Sequence, residues 1–222
     1  MSQSGSAGEA GARIARQRAQ VYRFLGSLYL NESDTTLVAA ARRAPIRNRL
    51  GQLMGNAASE HLMKSHLIGS HVNTLVDRLH EEHSALFGVH SHHPVLLLET
   101  AYCRASHLGP QRTEELPHLY REAGFECDHY QVHADHIGVE LLFVSHLCNL
   151  ERRAWRQGLT HVARRWASAQ ERFVRSHLCS WVEWVRESID RSDDACWFRV
   201  IAAATSTFIT ADHQRQQTLT HA

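Results

Sequence analysis

Between Ile137 and Leu150 the chain reads IGVELLFVSHLCNL, and only Gly138, Glu140, Ser145, His146 and Asn149 interrupt the apolar residues. So broad an apolar face does not suit a surface helix, and the run is too long for a buried strand. It therefore predicts a central helix that every other element must pack around. Asp135 stands where this helix should begin, so its carboxylate is expected to accept backbone N–H bonds and meet the positive end of the helix dipole. His136 and Glu140 fall one turn apart on one face. Upstream, Tyr120-Arg121-Glu122-Ala123 is followed by Gly124, the residue that most cheaply takes the left-handed turn just past a helix.

The remaining chain reads as helix after helix. Ile14, Val21, Leu25 and Leu28, with Tyr22 and Tyr29 beside them, repeat at helical spacing, and Arg13, Arg16 and Arg18 interleave on other faces. Ser33 and Asp34 cap a short helix over 35–41 that Pro45 closes. Ser59 opens a long helix whose Leu62, Leu75, Val76, Leu79, Leu86 and Phe87 face inward, and Gly88 ends it. Val95 to Tyr102 is an apolar run carrying the single carboxylate Glu99, and pattern alone leaves it open between helix and extended chain. A helix from Gln111 to Ala123 precedes the central one, which Gly158 ends. Val162, Trp166, Ala169, Phe173, Leu178, Trp181, Val185 and Ile189 form one later apolar stripe, with Arg164, Arg165, Arg172 and Arg175 on a solvated face. The last helix runs from about Ala195 to Ala211, capped by Ser192 or Asp193. With no strand alternation, hairpin dipeptide or fixed-period repeat, the expected fold is all-α: a single-domain helical bundle without a sheet. Its predicted bounds are residues 13–212, between a flexible tail over 1–12 and a polar tail over 213–222.

Charge and cysteine content limit the partners. A formal net charge of +1 gives no long-range field for nucleic acid or an anionic membrane. Five scattered cysteines without a CxxC fit reduced thiols in a cytoplasmic protein. The opening MSQSGSAGEAGA has neither the basic start nor the apolar core of a secretory signal, and no run reaches transmembrane length.

Phosphate-cradling, dinucleotide and zinc-protease fingerprints are absent. The densest set of potential ligands is Cys127, His129, His133 and His136, whose spacing matches no standard zinc site. A metal-binding or metal-delivery protein is the alternative reading that this cluster supports. His136 and Glu140 with distant ligands would be the start of a metal-dependent hydrolase, but no complete catalytic constellation accompanies them.

Several short patterns taken together resemble the TorD/DmsD/NarJ family of molybdoenzyme maturation chaperones. They are Arg16-x5-Tyr22-x2-Leu25, Leu86-Phe87 to Pro94 followed by Glu99-Thr100-Ala101-Tyr102, Tyr120-x3-Gly124-Phe125, and Asp135-His136-Ile137-x2-Glu140-Leu141-x-Phe143 with Leu147. Phe173-x3-His177-Leu178-x2-Trp181 is a weaker echo. The resemblance implies a TorD-like all-helical, cytoplasmic, non-enzymatic chaperone with no cofactor or metal of its own. Its implied partners are the apo catalytic subunit of a molybdenum-cofactor oxidoreductase and that subunit's twin-arginine leader, with export delayed until the cofactor is inserted. By the same resemblance Asp135 and His136 belong to the signal-binding region, with Glu99, Tyr102, Tyr120, Phe125 and Glu140 as further client-contact candidates. A carboxylate at the mouth of an apolar groove would pair with a guanidinium there. The chain departs from the pattern at Val132 and His133, where many members carry proline, at Thr100 for the usual serine, and at Leu96 to Leu98. The departures point to the subgroup serving type II enzymes of the dimethyl-sulfoxide-reductase family. Monomer and helix-swapped homodimer both fit.

Overall fold

Eight α-helices run through the residues that a computed structural model of the chain describes, namely 2–30, 35, 39, 71–88, 91, 94–103, 114–193, 195 and 197–220. They are α1 (Ser2–Tyr29), α2 (Val72–Phe87), α3 (Glu99–Cys103), α4 (Leu116–Glu122), α5 (Ile137–Arg156), α6 (Thr160–Phe173), α7 (Cys179–Asp190) and α8 (Trp197–Thr220). A 3-10 turn at Asp128–Tyr130 lies before α5, and a π-helical segment, Val174–Leu178, joins α6 to α7. The fold is all-α as expected; among the described residues the only extended pairing is an isolated antiparallel bridge between Leu98 and His136. The expected Ser59 cap, Leu62, the start at Gln111 and the histidines at 90, 92 and 93 lie outside the described residues, as does most of the expected helix over 35–41.

The predicted central helix is α5, buried along most of its length, and its most extensive packing is against α1. Two glycines let these helices approach. A Cβ on Gly26 would come 2.9 Å from the Gly138 carbonyl oxygen, and one on Gly138 would meet Leu30 at 2.6 Å and the Gly26 carbonyl at 3.0 Å. Ser145 further fastens the pair, its hydroxyl donating to the Ala19 carbonyl at 2.8 Å.

Of the three glycine stops, Gly88 ends α2 in extended backbone at φ −72°, and the other two take the left-handed turn. Gly124 has φ +67° and Gly158 φ +71°. After α4, Phe125 N–H donates to Tyr120 C=O (2.8 Å) and Gly124 N–H to Arg121 C=O (3.0 Å). After α5, Leu159 donates to Ala154 (3.0 Å) and Gly158 to Trp155 (3.1 Å). These crossed bonds satisfy carbonyls that a helix end would otherwise leave open. At the first stop the accompanying apolar contact is Tyr120 against Phe125, with centroids 5.3 Å apart.

The ends of the bundle differ from the sequence expectation. α1 begins at Ser2, and a Cβ on Gly11 would meet the Trp155 ring at 2.7 Å, so Gly11 of the opening lies in a helix packed on α5. Ile14, expected inward, is exposed, while Ala15 and Ala19 are buried. α8 continues to Thr220 with Asp212 and Gln216 buried. The reason is Arg18, which is buried in the core. Its Nε and Nη2 donate to the two Asp212 carboxylate oxygens at 2.7 and 2.9 Å, and its Nη1 to Glu151 at 3.3 Å. Tyr22 and Gln216 donate to Asp212, and Gln170 and Trp155 to Glu151. A charged cluster thus ties α1, α5, α6 and α8 together. The start of α8 is sealed neither by Ser192 nor by Asp193: the Glu82 carboxylate of α2 accepts from Trp197 N–H (2.9 Å) and Phe198 N–H (2.7 Å).

Candidate functional site

Val95 to Tyr102 resolves into both of the conformations left open by its sequence. Val95 to Leu98 is extended, with Ile137 N–H donating to Leu97 C=O and Glu99 N–H to Asp135 C=O, both at 2.9 Å. From Glu99 the chain turns into α3. Asp135 therefore caps a different helix from the one expected. Its Oδ2 accepts from Thr100 N–H at 3.0 Å and Thr100 Oγ1 at 2.7 Å, so it seals the start of α3 across the bridge. The N-cap of α5 is His136, whose Nδ1 accepts from Gly138 N–H at 3.1 Å. An accepting Nδ1 leaves the ring proton on Nε2. Burial, helped by the nearby His83, pulls the His136 pKa down to about 4, against the opposing pull of Asp135. The ring is neutral through the physiological range.

Beneath the bridge two more carboxyl groups lie fully buried. Glu99 Oε2 accepts from His177 Nδ1 at 2.8 Å, and His177 stacks on Phe173 with centroids 4.6 Å apart. Glu140, one turn into α5, accepts from Trp181 Nε1 at 3.4 Å. Burial first, then the charges of Glu99 and Asp135, drive the Glu140 carboxyl well above its usual range. Tyr102 stacks on the other side of Trp181 at 5.9 Å. Tyr120 donates its hydroxyl to Ala134 C=O at 2.7 Å, and its ring meets Phe143 at 4.6 Å. Both Tyr120 and Phe125 thereby hold the loop from Gly124 to His136 in place.

Glu99, Asp135 and His136 thus meet at the Leu98–His136 bridge, while Tyr102 connects to Glu140 through Trp181 and Phe125 to the loop through Tyr120. Their accessibility differs from the expectation of an open carboxylate: Glu99, Glu140 and Tyr120 are sealed inside and Asp135 is buried, while Tyr102, Phe125 and His136 are half-buried at the surface. Sequence reasoning did not give Thr100 its role as partner of Asp135, nor Trp181 and His177 theirs as partners of the two glutamates. The signal for the latter pair was the shared stripe of Phe173, His177 and Trp181, whose four-residue spacing the π segment accommodates. Cys127 and His133 stand in the loop before α5, and His136 has its Nδ1 engaged; among the described residues no three potential ligands are grouped to hold a metal ion, and the His129 side chain lies outside them. No helix among the described residues is long and apolar enough to cross a membrane.

The family described as the nitrate reductase delta subunit matches the chain over residues 54–186, more than half its length and including every residue of this site. The chain belongs to that family. Its members are molybdoenzyme maturation chaperones acting with molybdoenzyme catalytic subunits, a non-catalytic role. No curated protein and no solved structure matches the chain. The matched stretch takes in α2 through most of α7, whereas α1 and α8, which carry Arg18 and Asp212, lie outside it.

Proposed function

We propose that this chain is a cytoplasmic chaperone that holds the apo catalytic subunit of a molybdenum-cofactor oxidoreductase together with its twin-arginine leader, and delays export until the cofactor is in place. The client is of type II within the dimethyl-sulfoxide-reductase family. The observation that carries the reading is the convergence of two separate sequence segments, Glu99-Thr100 and Asp135-His136, on one bridge. Both bonds to Asp135 fall on Oδ2, so Oδ1 is the oxygen that receives a leader guanidinium. Retention is differential binding: affinity for the apo client exceeds that for the loaded one, and release follows the change in the client's surface. No covalent step is needed.

Calorimetric titration with a twin-arginine leader peptide tests this. Asp135→Asn keeps an acceptor for Thr100 but removes the charge, and a charge-assisted bond is worth about 1.5–3 kcal/mol. Affinity should therefore fall roughly 10- to 100-fold, with the helical circular dichroism unchanged. Equal binding by wild type and Asp135→Asn would remove Asp135 from the interface, and no binding of leader or full apo client would sink the chaperone–leader reading.

A further inference from the structure

A groove of about 1010 Å³ runs between α4 and α6, on the far side of His177 from the bridge. One wall is the apolar ridge Val162, Trp166, Ala169 and Phe173, at positions i, i+4, i+7 and i+11 of α6; the other is Leu119 and Ala123, one turn apart at the end of α4. Phe143 and Leu147 of α5 form the floor. Trp166 and Ala169, which their spacing would assign to the core, are only half-buried here, so the apolar stripe of α6 is incompletely covered.

The rims carry opposite charge with the same repeat. Arg165 and Arg172, seven residues apart, edge the α6 side, and Glu115 and Glu122, also seven apart, edge the α4 side. Seven helical residues span about 10.5 Å, two turns. All four side chains are exposed, and among the described residues Arg165 and Arg172 meet no carboxylate. Each wall is a helix whose backbone groups are internally bonded, so the groove offers no edge to which an extended strand could add. An apolar trough flanked by charges at heptad spacing is instead what a third helix packs into, with its apolar stripe down and charged flanks against the two rims.

The geometry points to this groove as a docking site for an amphipathic helix of a partner protein, carrying carboxylates at seven-residue spacing on the flank facing Arg165 and Arg172, and basic residues on the flank facing Glu115 and Glu122. The arginine rim makes it a poor seat for an arginine-rich leader, so this is a second surface, and its existence does not rest on the leader reading. His177 lines the groove and also bonds Glu99, so the two surfaces share one buried side chain.

The test uses the full chain and synthetic helices of about 21 residues, three heptads with leucine at the a and d positions. One has a glutamate flank and a lysine flank, a second has lysine on both, and a third has the first one's composition in scrambled order. Binding is read by fluorescence anisotropy of labelled peptide. The split-charge helix should bind saturably, about 10-fold more tightly than the all-lysine helix, and the scrambled peptide should not bind. The exposed double variant Arg165→Glu/Arg172→Glu, checked for unchanged circular dichroism, should reverse the order and prefer the all-lysine helix. Equal affinity for all three peptides, no saturable binding, or indifference to the charge reversal would overturn the assignment. So would competition between the split-charge helix and a twin-arginine leader, which would make the groove the leader's own seat. If gel filtration shows the chain dimerising through this face and excluding the peptide, a second copy is the occupant and the assignment to a partner fails.

Discussion

Replacing Asp212 with alanine should be among the most damaging single changes in the molecule. The carboxylate is fully buried and accepts two bonds from Arg18, one from Tyr22 and one from Gln216. Burial by itself would push the Asp212 carboxyl up, but the adjacent Arg18 guanidinium and these bonds outweigh it and hold the group below its ordinary value. Removing it leaves a buried guanidinium facing only Glu151 at 3.3 Å. Breaking one side of a buried pair costs about 3–5 kcal/mol, a large part of a typical stability of about 5–15 kcal/mol. With a urea dependence of about 2 kcal/mol per molar, the unfolding midpoint followed by tryptophan fluorescence should fall by roughly 2 M. A carboxyl with a lowered folded pKa contributes its stability above the unfolded value, about 3.9, and loses it as pH falls through the folded one. The cost of Asp212→Ala should therefore be equal at pH 5 and pH 8. Arg18→Met/Asp212→Leu, which removes both charges, should be less destabilised than Asp212→Ala alone. A midpoint shift below about 0.5 M for Asp212→Ala, or a double variant as unstable as the two single changes summed, would refute the view that these charges depend on each other.

Gly138→Ala tests the close approach of α1 and α5: a Cβ 3.0 Å from a backbone oxygen forces the helices apart, costing about 1–3 kcal/mol, less up to about 1 kcal/mol gained from alanine's helix preference. A lowered urea midpoint is expected. The pH dependence of stability should carry His136 and Glu140 with opposite signs. His136 has a folded pKa of about 4 against about 6.5 unfolded, so the unfolded chain takes the proton first and stability falls as pH drops through that window. Between pH 7 and pH 5 this amounts to about 2 kcal/mol, and His136→Gln should shrink the difference in urea midpoints by about 1 M. Glu140, raised in the fold, favours stability at low pH and loses it as pH rises above about 4.3, an effect that Glu140→Gln should abolish.

What was legible in the sequence was whatever depends on neighbours within a few residues. Gly124 and Gly158 announce their turns because a positive φ is a local requirement, and the apolar run after Ile137 announces a buried helix because burial on all sides leaves no polar face. Asp135 was rightly read as a helix cap but assigned to the wrong helix, since nothing near it reveals that Thr100 presents a free N–H and a hydroxyl. Arg18 could be placed only off the apolar face, with no partner, because that partner stands 194 residues away. The same holds for Glu82, a surface-type residue on an amphipathic helix until α8 arrives. Of the candidate site, accessibility was not legible: Glu99 and Glu140 are buried against His177 and Trp181, partners that the π segment between α6 and α7 brings to them.

The distant partnerships of Arg18 and Glu82 also set a timetable for synthesis. Asp212 is translated 194 residues after Arg18, and Phe198 is translated 116 residues after Glu82. At about 5–20 residues per second, a ribosome leaves Arg18 waiting roughly 10–40 s for its carboxylate. During that interval Arg18 has only the more distant Glu151 of α5 as its buried counter-charge. The final seating of α1 thus waits on α8, the helix made last among those described.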